Sequence, residues 1–233
     1  MMFFQLKSPY ISVSNGTVIS YGGNQMCSAN KTERSVGCGV VAALDLFLYL
    51  CRYHSNPKQR CSESLLPTAW PLDQQQYLSL LHYFRKKYFP LIPGHGINGL
   101  SLAIGVNAFF LKYRLPFFAV WGVPYAKLWS SIREMLEQDV PVIFSVGPNF
   151  PLFWKHNQLR FYVKRSDGAY IPGPHTHSHY VTITGMDEQW LQIASWGRKY
   201  YINRMEYLTY VKEHSARLVS NILYIRKKSH GVS

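Results

Sequence analysis

Acidic residues and long apolar runs are both scarce in this chain. Only 12 Asp and Glu residues stand against 25 Lys and Arg residues in 233 positions, which gives a formal charge of +13. The longest apolar run, 40–50, is interrupted by Asp45 and closed by Arg52, whereas a bilayer span needs roughly 20 apolar residues. The sequence therefore predicts a buried helix here, in which Asp45 needs a polar partner, and no membrane span. The first seven residues also lack the charged head and apolar stretch of a secretory signal.

Cysteine is sparse and confined to one stretch. Cys27, Cys38, Cys51 and Cys61 are the four cysteines, and no Cys-x2-Cys metal pair occurs among them. A disulfide scaffold is normally denser in cysteine and smaller than this chain. We therefore expect free thiols and a reducing compartment, most simply the cytoplasm.

The excess of positive charge favours anionic partners, whether nucleic acid, an anionic polymer or a membrane surface. No helix-turn-helix, zinc finger or basic arm accompanies it. The basic residues instead fall into small groups at 85–87, 155–165, 198–199 and 226–228. Most of this charge is interpreted as an ordinary solvated surface, and an anionic partner stays an open alternative.

Helical patterns come first along the chain, and alternating patterns follow. Helices are predicted at 38–52, 73–88, 98–113 and 125–138. Short β-type runs are predicted at 140–146, 159–163, 180–184, 190–195, 199–202 and 218–225, and Pro172-Gly173-Pro174 predicts a loop among them. This order predicts an α+β fold with antiparallel strands. We expect a single domain, 1–233, with a helical lobe at about 20–138 and a β lobe at about 139–228.

Cys38 lies between two glycines, where a loop is predicted to turn into the buried helix. A helix N-terminus carries a partial positive charge and free amide donors, which favour a thiolate and can donate to an oxyanion beside the sulfur. The alternative is a small buried residue that only packs. Cys51 ends the same apolar helix and is predicted to pack, whereas Cys27 and Cys61 lie in polar loops without a glycine frame.

His179 opens the alternating run 180–184. An imidazole at the edge of a strand can face a cleft, and its ordinary pKa near 6.5 suits a base that accepts the proton of a thiol. The alternative is a surface histidine that makes one hydrogen bond.

Four motifs together resemble those of papain-like cysteine peptidases, in particular bacterial double-glycine peptidase relatives. Gly-Cys-Gly-Val-Val-Ala-Ala-Leu-Asp at 37–45 resembles their nucleophile helix, and His179 with the apolar alternation after it resembles their histidine strand. Ile-Ala-Ser-Trp-Gly at 193–197 resembles their Asn-Ser-Trp-Gly strand, and Tyr-Gly-Gly-Asn-Gln at 21–25 precedes the cysteine as their oxyanion-hole glutamine segment does. The order of the four motifs is more specific than any one of them.

The resemblance implies a papain-like α+β fold with the nucleophile in the helical lobe and the histidine in the β lobe. It implies a hydrolase that acts on a peptide or amide through a covalent acyl-enzyme, or that transfers the acyl group to an amine. Cys38 is then the nucleophile, His179 the base, and Gln25 the oxyanion-hole donor, with Asn24 as its alternate. No cofactor is implied.

The residue that should orient His179 departs from the family pattern, which has Asn or Asp there. Matching the Trp-Gly pair puts Ala194 at this position, and counting from His179 puts Ser195 there. We expect Ser195 to face His179 and Trp196 to shield the pair, with Asp187 as a further candidate. The weakened third residue leaves open a protein that keeps the fold and uses its cleft only for binding.

A second alternative comes from the series His175, His177 and His179. On one strand, alternate residues share a face, so that three imidazoles would converge on a metal ion in a metal-dependent hydrolase. The loop predicted at 172–174 argues against this arrangement.

Overall fold

The computed structural model describes residues 2–55, 69–91, 96–148 and 157–228, which form a mixed α+β fold. Its helices are α1 (Lys31–Val36), α2 (Cys38–Tyr53), α3 (Gln74–Tyr88), α4 (Gly99–Lys112), α5 (Leu128–Glu137) and α6 (Arg204–His214). Its strands are β1 (Phe4–Gln5), β2 (Ser12–Ser14), β3 (Ile19–Tyr21), β4 (Leu72–Asp73), β5 (Phe117–Trp121), β6 (Val142–Val146), β7 (Leu159–Lys164), β8 (Tyr170–Thr176), β9 (His179–Met186), β10 (Trp190–Ser195), β11 (Arg198–Asn203) and β12 (Ile222–Lys227). The predicted α+β class and the four predicted helices are confirmed.

One large sheet contains nine of these strands in the order β5-β12-β6-β9-β10-β11-β7-β8, with β1 paired to β9 as well. Every pairing in it is antiparallel, as the sequence predicts. A second, small sheet has the order β3-β2-β4, and its β2–β4 pair is parallel. The central strand β9 therefore begins with His179 and is flanked by β6 and β10.

Several elements depart from the predicted division near residue 139, because β1 to β5 all lie before it and both β1 and β5 belong to the large sheet. The strand β5 lies before that position and forms one outer strand of the large sheet, paired with β12. The helix α6 lies after it, and Asn203 caps its start by accepting from the backbone N–H groups of Met205 and Glu206. The sequence of α6 has almost no helical apolar periodicity, and β5 has only five residues, so pattern alone predicted neither.

The loop predicted at Pro172-Gly173-Pro174 is wrong, because these residues lie within β8. This strand is the outermost one at the other edge of the sheet. An edge strand tolerates proline since one of its sides needs no backbone donor. The predicted strand at 218–225 is also shorter than expected and begins at Ile222.

The helix α2 is the centre of the core. It packs against β9 and β6 on one side and against α3 and α4 on the other. Its Phe47 ring stacks on Phe109 of α4, with ring centres 3.7 Å apart, and lies 5.3 Å from Phe84 of α3. Because such contacts cover the helix on nearly all sides, the run 40–50 is apolar although it does not span a membrane. No helix in the described ranges is long and apolar enough to cross a membrane.

The expectation of four free thiols is wrong for Cys51, which is disulfide-bonded. Cys27 and Cys38 are free, and Cys61 lies outside the described residues. The disulfide removes the argument from free thiols for a reducing compartment, so the cytoplasmic location stays a prediction.

The outer strand β5 is protected by a side chain of α4. The amide of Asn107 donates to the carbonyl oxygen of Ala119 at 2.7 Å and accepts from its N–H at 2.9 Å. This pair of bonds replaces a neighbouring strand and fixes α4 beside the sheet edge.

We expect Asn107→Ala to destabilise the fold by about 1–3 kcal/mol, because it leaves a backbone donor and acceptor without partners. Urea unfolding followed by circular dichroism measures this difference. Gln138→Ala is the control, since the Gln138 amide is exposed and makes one long contact, 3.4 Å, to Glu134. Equal stability of Asn107→Ala and the wild type would show that the edge is held by other contacts.

Candidate active site

Cys38 is the first residue of α2, and its position is set by tight packing around the neighbouring glycines. The Gly37 N–H donates to the Glu33 carbonyl at 2.9 Å as α1 ends. A Cβ atom on Gly39 would lie 2.6 Å from Ile97 and 3.1 Å from Tyr180. Larger residues at these positions would therefore push the start of α2 away from the sheet.

The start of α2 meets the start of β9. The Cys38 sulfur accepts a hydrogen bond from the backbone N–H of Tyr180 at 3.5 Å, across 142 residues of sequence. Cys38, Gln25, His179 and Ser195 all line one small cavity. The structure thus brings together the four site residues named from the sequence.

Ser195 lies beside the imidazole of His179. Its Oγ is 2.8 Å from His179 Nε2, and both residues are only 7% exposed. Ala194 also lines the cavity but has no polar side-chain atom. Asp187 instead accepts from the backbone N–H groups of Gln189 and Trp190, in the turn between β9 and β10. Of the three candidates, Ser195 alone contacts His179 through a side-chain hydrogen bond.

Trp196 covers the imidazole. Its ring stacks on His179 with centres 4.5 Å apart and planes 18° apart. The tryptophan backbone has a φ of +49°, in the left-handed region that side chains rarely adopt, as the chain turns from β10 to β11. This turn directs the indole over His179 and limits its contact with water.

Gln25 and its alternate Asn24 have different roles. The Gln25 side chain is buried and donates from Nε2 to the Arg34 carbonyl at 3.0 Å. A primary amide has two hydrogens, so this bond leaves one for a ligand in the cavity. Asn24 instead caps the short 3-10 turn Gln25–Cys27 by accepting from Met26 N–H.

Asp45 is a site residue whose connection to Gln25 the sequence analysis missed. Both of its carboxylate oxygens accept from the Gly23 N–H, at 3.0 and 3.2 Å, and it also accepts from Tyr77 and Tyr10 at 2.8 and 3.1 Å. Asp45 thereby ties the chain just before Gln25 to the helix that carries Cys38. An acidic residue seven positions, or about two helical turns, after the cysteine was the available signal.

Burial governs the charge state of these groups. It raises the pKa of the Asp45 carboxyl to about 6, although the three donors around it act in the opposite direction. Burial also raises the pKa of the Cys38 thiol, more than the nearby N–H groups of Tyr180 and Gly39 lower it. The expected preference for a thiolate at the start of α2 is therefore wrong for the resting state.

The pKa of His179 is shifted in the opposite direction, downward. Burial lowers the pKa of its imidazole to about 3, because the charged form loses its hydration. Both members of the pair are thus held in their neutral forms near pH 7. The neutral imidazole keeps a free lone pair, but burial makes its protonation less favourable than in water.

A larger cavity of ≈ 470 Å³ opens from the same residues. Gln25, Cys38 and His179 lie in its lining, and apolar walls come from Val36, Ile97, Trp121, Tyr180 and Val219. Its size fits a ligand with several heavy atoms. Cys38 is thus in contact with a space that is large enough for a small ligand.

The three histidines of the His-x-His-x-His series do not follow one strand. His175 lies in β8 and His179 begins β9, while Ser178 between them has a φ of +50° as the chain reverses. Within the described parts of the chain, no three His, Cys, Asp or Glu side chains form a group that could hold a metal ion. The alternative of a metal-dependent hydrolase thus loses the geometry on which it depended.

Comparison of the chain with protein-family models, with curated proteins and with solved structures gives no match. Any functional assignment therefore depends on the motifs and on the geometry around Cys38 and His179.

We expect Asp45→Ala to destabilise the fold by about 2–4 kcal/mol, since it leaves three buried donors without an acceptor. Asp45→Asn keeps one acceptor oxygen and should cost less. Urea unfolding measures both variants, with Asp167→Ala at an exposed turn as the control. A stability of Asp45→Ala equal to that of the wild type would mean that the segment before Gln25 is held independently of Asp45.

Proposed function

We propose that the chain is a papain-like cysteine hydrolase that cleaves a peptide or amide bond, with Cys38 as nucleophile and His179 as base. The observation that carries this proposal is the surroundings of His179. One ring nitrogen is engaged by Ser195, the ring is covered by Trp196, and Cys38 shares its cavity. The Cys38 sulfur accepts from the N–H of Tyr180, the residue that follows His179, so the thiol is held at the start of the strand that carries the imidazole.

The first step is attack by sulfur on the substrate carbonyl. In the tautomer in which Nε2 carries the hydrogen, His179 donates to Ser195, and Nδ1 is left to take the thiol proton. The sulfur forms a bond to the carbonyl carbon while its proton passes to the imidazole. Because the pair rests neutral, the imidazolium and the thiolate arise together during the attack.

The oxyanion of the tetrahedral intermediate needs donors beside the sulfur. The second amide hydrogen of Gln25 and the backbone N–H of Cys38 at the start of α2 are the donors in this proposal. The intermediate collapses as the imidazolium gives its proton to the leaving amine, and a thioester on Cys38 remains. Attack by water, with His179 again as base, releases the acid and restores the thiol.

A protein that uses the cleft only for binding is the second candidate. Ser195 brings no negative charge, and burial disfavours the imidazolium. Acyl transfer is a variant of the catalytic proposal, since an amine in place of water would accept the same acyl group.

The basic test of function is the formation of a thioester on Cys38. Wild-type protein incubated with an activated acyl ester should gain one acyl group in its intact mass, and Cys38→Ala should not. Release of this group on standing, measured by the return of the original mass, distinguishes a hydrolase from a thiol that is merely reactive. An acyl group that forms equally on Cys38→Ala would exclude Cys38 as the nucleophile.

The pH dependence of Cys38 alkylation tests the charge state of His179. Because the imidazole pKa is about 3, the neutral base is retained as the pH falls from 7 to 5. The His179-dependent part of the iodoacetamide rate at Cys38, defined as wild type minus His179→Ala, should stay level over this range. Cys27, a free and exposed thiol in the same molecule, is the internal control for the reagent. Loss of the His179-dependent part with a midpoint near 6.5 would contradict the pKa shift.

Substitution of Ser195 tests its proposed role as the residue that orients the His179 ring. A carboxylate beside the ring favours the imidazolium and so raises the pKa of His179. We therefore expect Ser195→Asp to increase the alkylation rate of Cys38 at pH 6, and Ser195→Asn to increase it less. Ser195→Ala should lower the rate by only about fivefold, because one neutral hydrogen bond contributes about 1 kcal/mol.

The matched control for charge is Ser130→Asp on α5, which should leave the rate unchanged. If Asp187→Ala abolishes the reaction while Ser195→Ala does not affect it, the third residue has been assigned wrongly.

A further inference from the structure

The exposed face of α4 is apolar along its whole length. Leu100, Ile104 and Leu111 are 67%, 71% and 77% exposed, and Ala108 between them is exposed as well. At about 100° per residue these four side chains fall within an arc of roughly 80°. We call this set the α4 stripe. An exposed row of large apolar side chains on one helix is typical of a surface that binds something.

The fixed position of α4 makes the stripe a property of the folded molecule. Its opposite face is buried through Leu102, Val106 and Phe109. Asn107 holds the helix to the edge strand β5. The stripe cannot turn inward without breaking these contacts, so it remains exposed in the described fold.

Positive charge surrounds the C-terminal end of the stripe. Lys112 follows Leu111 on α4 and is exposed. Lys87, near the end of α3, has its Nζ 5.4 Å from the centre of the Tyr88 ring, and that ring lies 6.0 Å from Phe109 of α4. Lys227 pairs in register with Phe117, whose ring lies 5.7 Å from Phe110 of α4. Lysines from three elements are therefore neighbours of the C-terminal half of α4 through these contacts.

Negative charge is absent from the sequence of this region. No Asp or Glu occurs between Asp73 and Glu134, a stretch that contains all of α3, α4 and β5. The last acidic residue of the chain is Glu213, so the end of β12 is also purely basic. The charged residues within these sequence segments are accordingly all basic.

We propose that the α4 stripe and the lysines at its end form a docking surface for an anionic lipid membrane. An interfacial helix inserts large apolar side chains at the level of the headgroups while neighbouring lysines contact anionic lipids. The stripe supplies the first element, and Lys87, Lys112 and Lys227 supply the second. Neither element depends on the chemistry proposed for Cys38.

Nucleic acid and a second copy of the chain fit this surface less well. Nucleic acid is bound through phosphates by basic and polar groups, and it would leave the aliphatic side chains of the stripe without a partner. A second copy of the chain would cover the stripe, but a two-fold contact on this face would bring lysines of like charge together. A lipid surface alone uses both the apolar row and the charge.

Docking on this face would also orient the larger cavity. Asn98 and Gly99, at the N-terminal end of α4, lie in the lining of that cavity. The stripe begins one residue later, with Leu100. Membrane binding would therefore hold the opening near Cys38 close to the lipid surface.

Vesicle co-sedimentation of the full chain tests the proposal. The probe is phosphatidylcholine vesicles that contain about a third phosphatidylserine, compared with vesicles of phosphatidylcholine alone. We expect binding to the anionic vesicles, weakened by salt and at least tenfold weaker for the triple variant Leu100→Ser, Ile104→Ser and Leu111→Ser. Since these side chains are exposed, circular dichroism and urea unfolding should show an unchanged fold.

A matched triple variant replaces Val18, Ile19 and Met205 with serine; these residues are 62%, 65% and 67% exposed and lie outside α4. It should bind as the wild type does. Lys112→Glu should weaken binding roughly tenfold, whereas Lys212→Glu on α6 should have a smaller effect.

Three results would overturn the proposal. The first is absence of binding to the anionic vesicles, or binding that the α4 triple variant does not weaken. The second is a dimer, seen by light scattering of the wild type, that the same triple variant dissociates. The third is tighter binding to a duplex oligonucleotide that Lys112→Glu weakens and the serine triple does not, because this would assign the surface to nucleic acid.

Discussion

The burial of α2 is the constraint on which the rest of the structure depends. The helix lies between the large sheet and the helices α3 and α4, with little of its surface in contact with water. A carboxylate in such a helix must be satisfied by the protein. Asp45 finds its donors in Gly23, Tyr10 and Tyr77. A second segment, the one that leads to Gln25, is thereby fixed against the helix that begins with Cys38.

The same burial determines the state of the candidate catalytic pair. A thiol at the start of a helix in water would gain from the amide dipoles. Here the loss of hydration exceeds that gain, so Cys38 is held as a thiol and His179 as a neutral imidazole. A strong orienting carboxylate at position 195 would favour the imidazolium, and serine does not. The serine and the burial therefore act in the same direction, toward a pair whose two members are neutral.

Local patterns predicted the four helices α2 to α5 because each has a recurrent apolar face, whereas α1 and α6 were not predicted. The spacing of 16 residues from His179 to Ser195 also located the contact that the structure shows. The sequence patterns could not predict the tertiary contacts of these residues. Neither the Asp45 bonds to Gly23 and the two tyrosines nor the disulfide of Cys51 follows from residue spacing. The position of β8 at a sheet edge, which makes its prolines acceptable, depends on the order of all nine strands.

The helix α4 is a second case in which the sequence alone does not predict the surroundings of the side chains. Its sequence from Gly99 to Leu111 contains no charged residue, and such a composition normally indicates burial on all sides. The structure buries one face and leaves Leu100, Ile104 and Leu111 exposed. Composition reports only that apolar surface is removed from water, and it does not distinguish a partner within the chain from one outside it. The net charge of +13 likewise does not locate a binding surface, since small basic groups occur along the whole sequence. It becomes informative where the fold sets lysines around an apolar row that has no carboxylate near it in the sequence, because an anionic lipid surface satisfies both features at once.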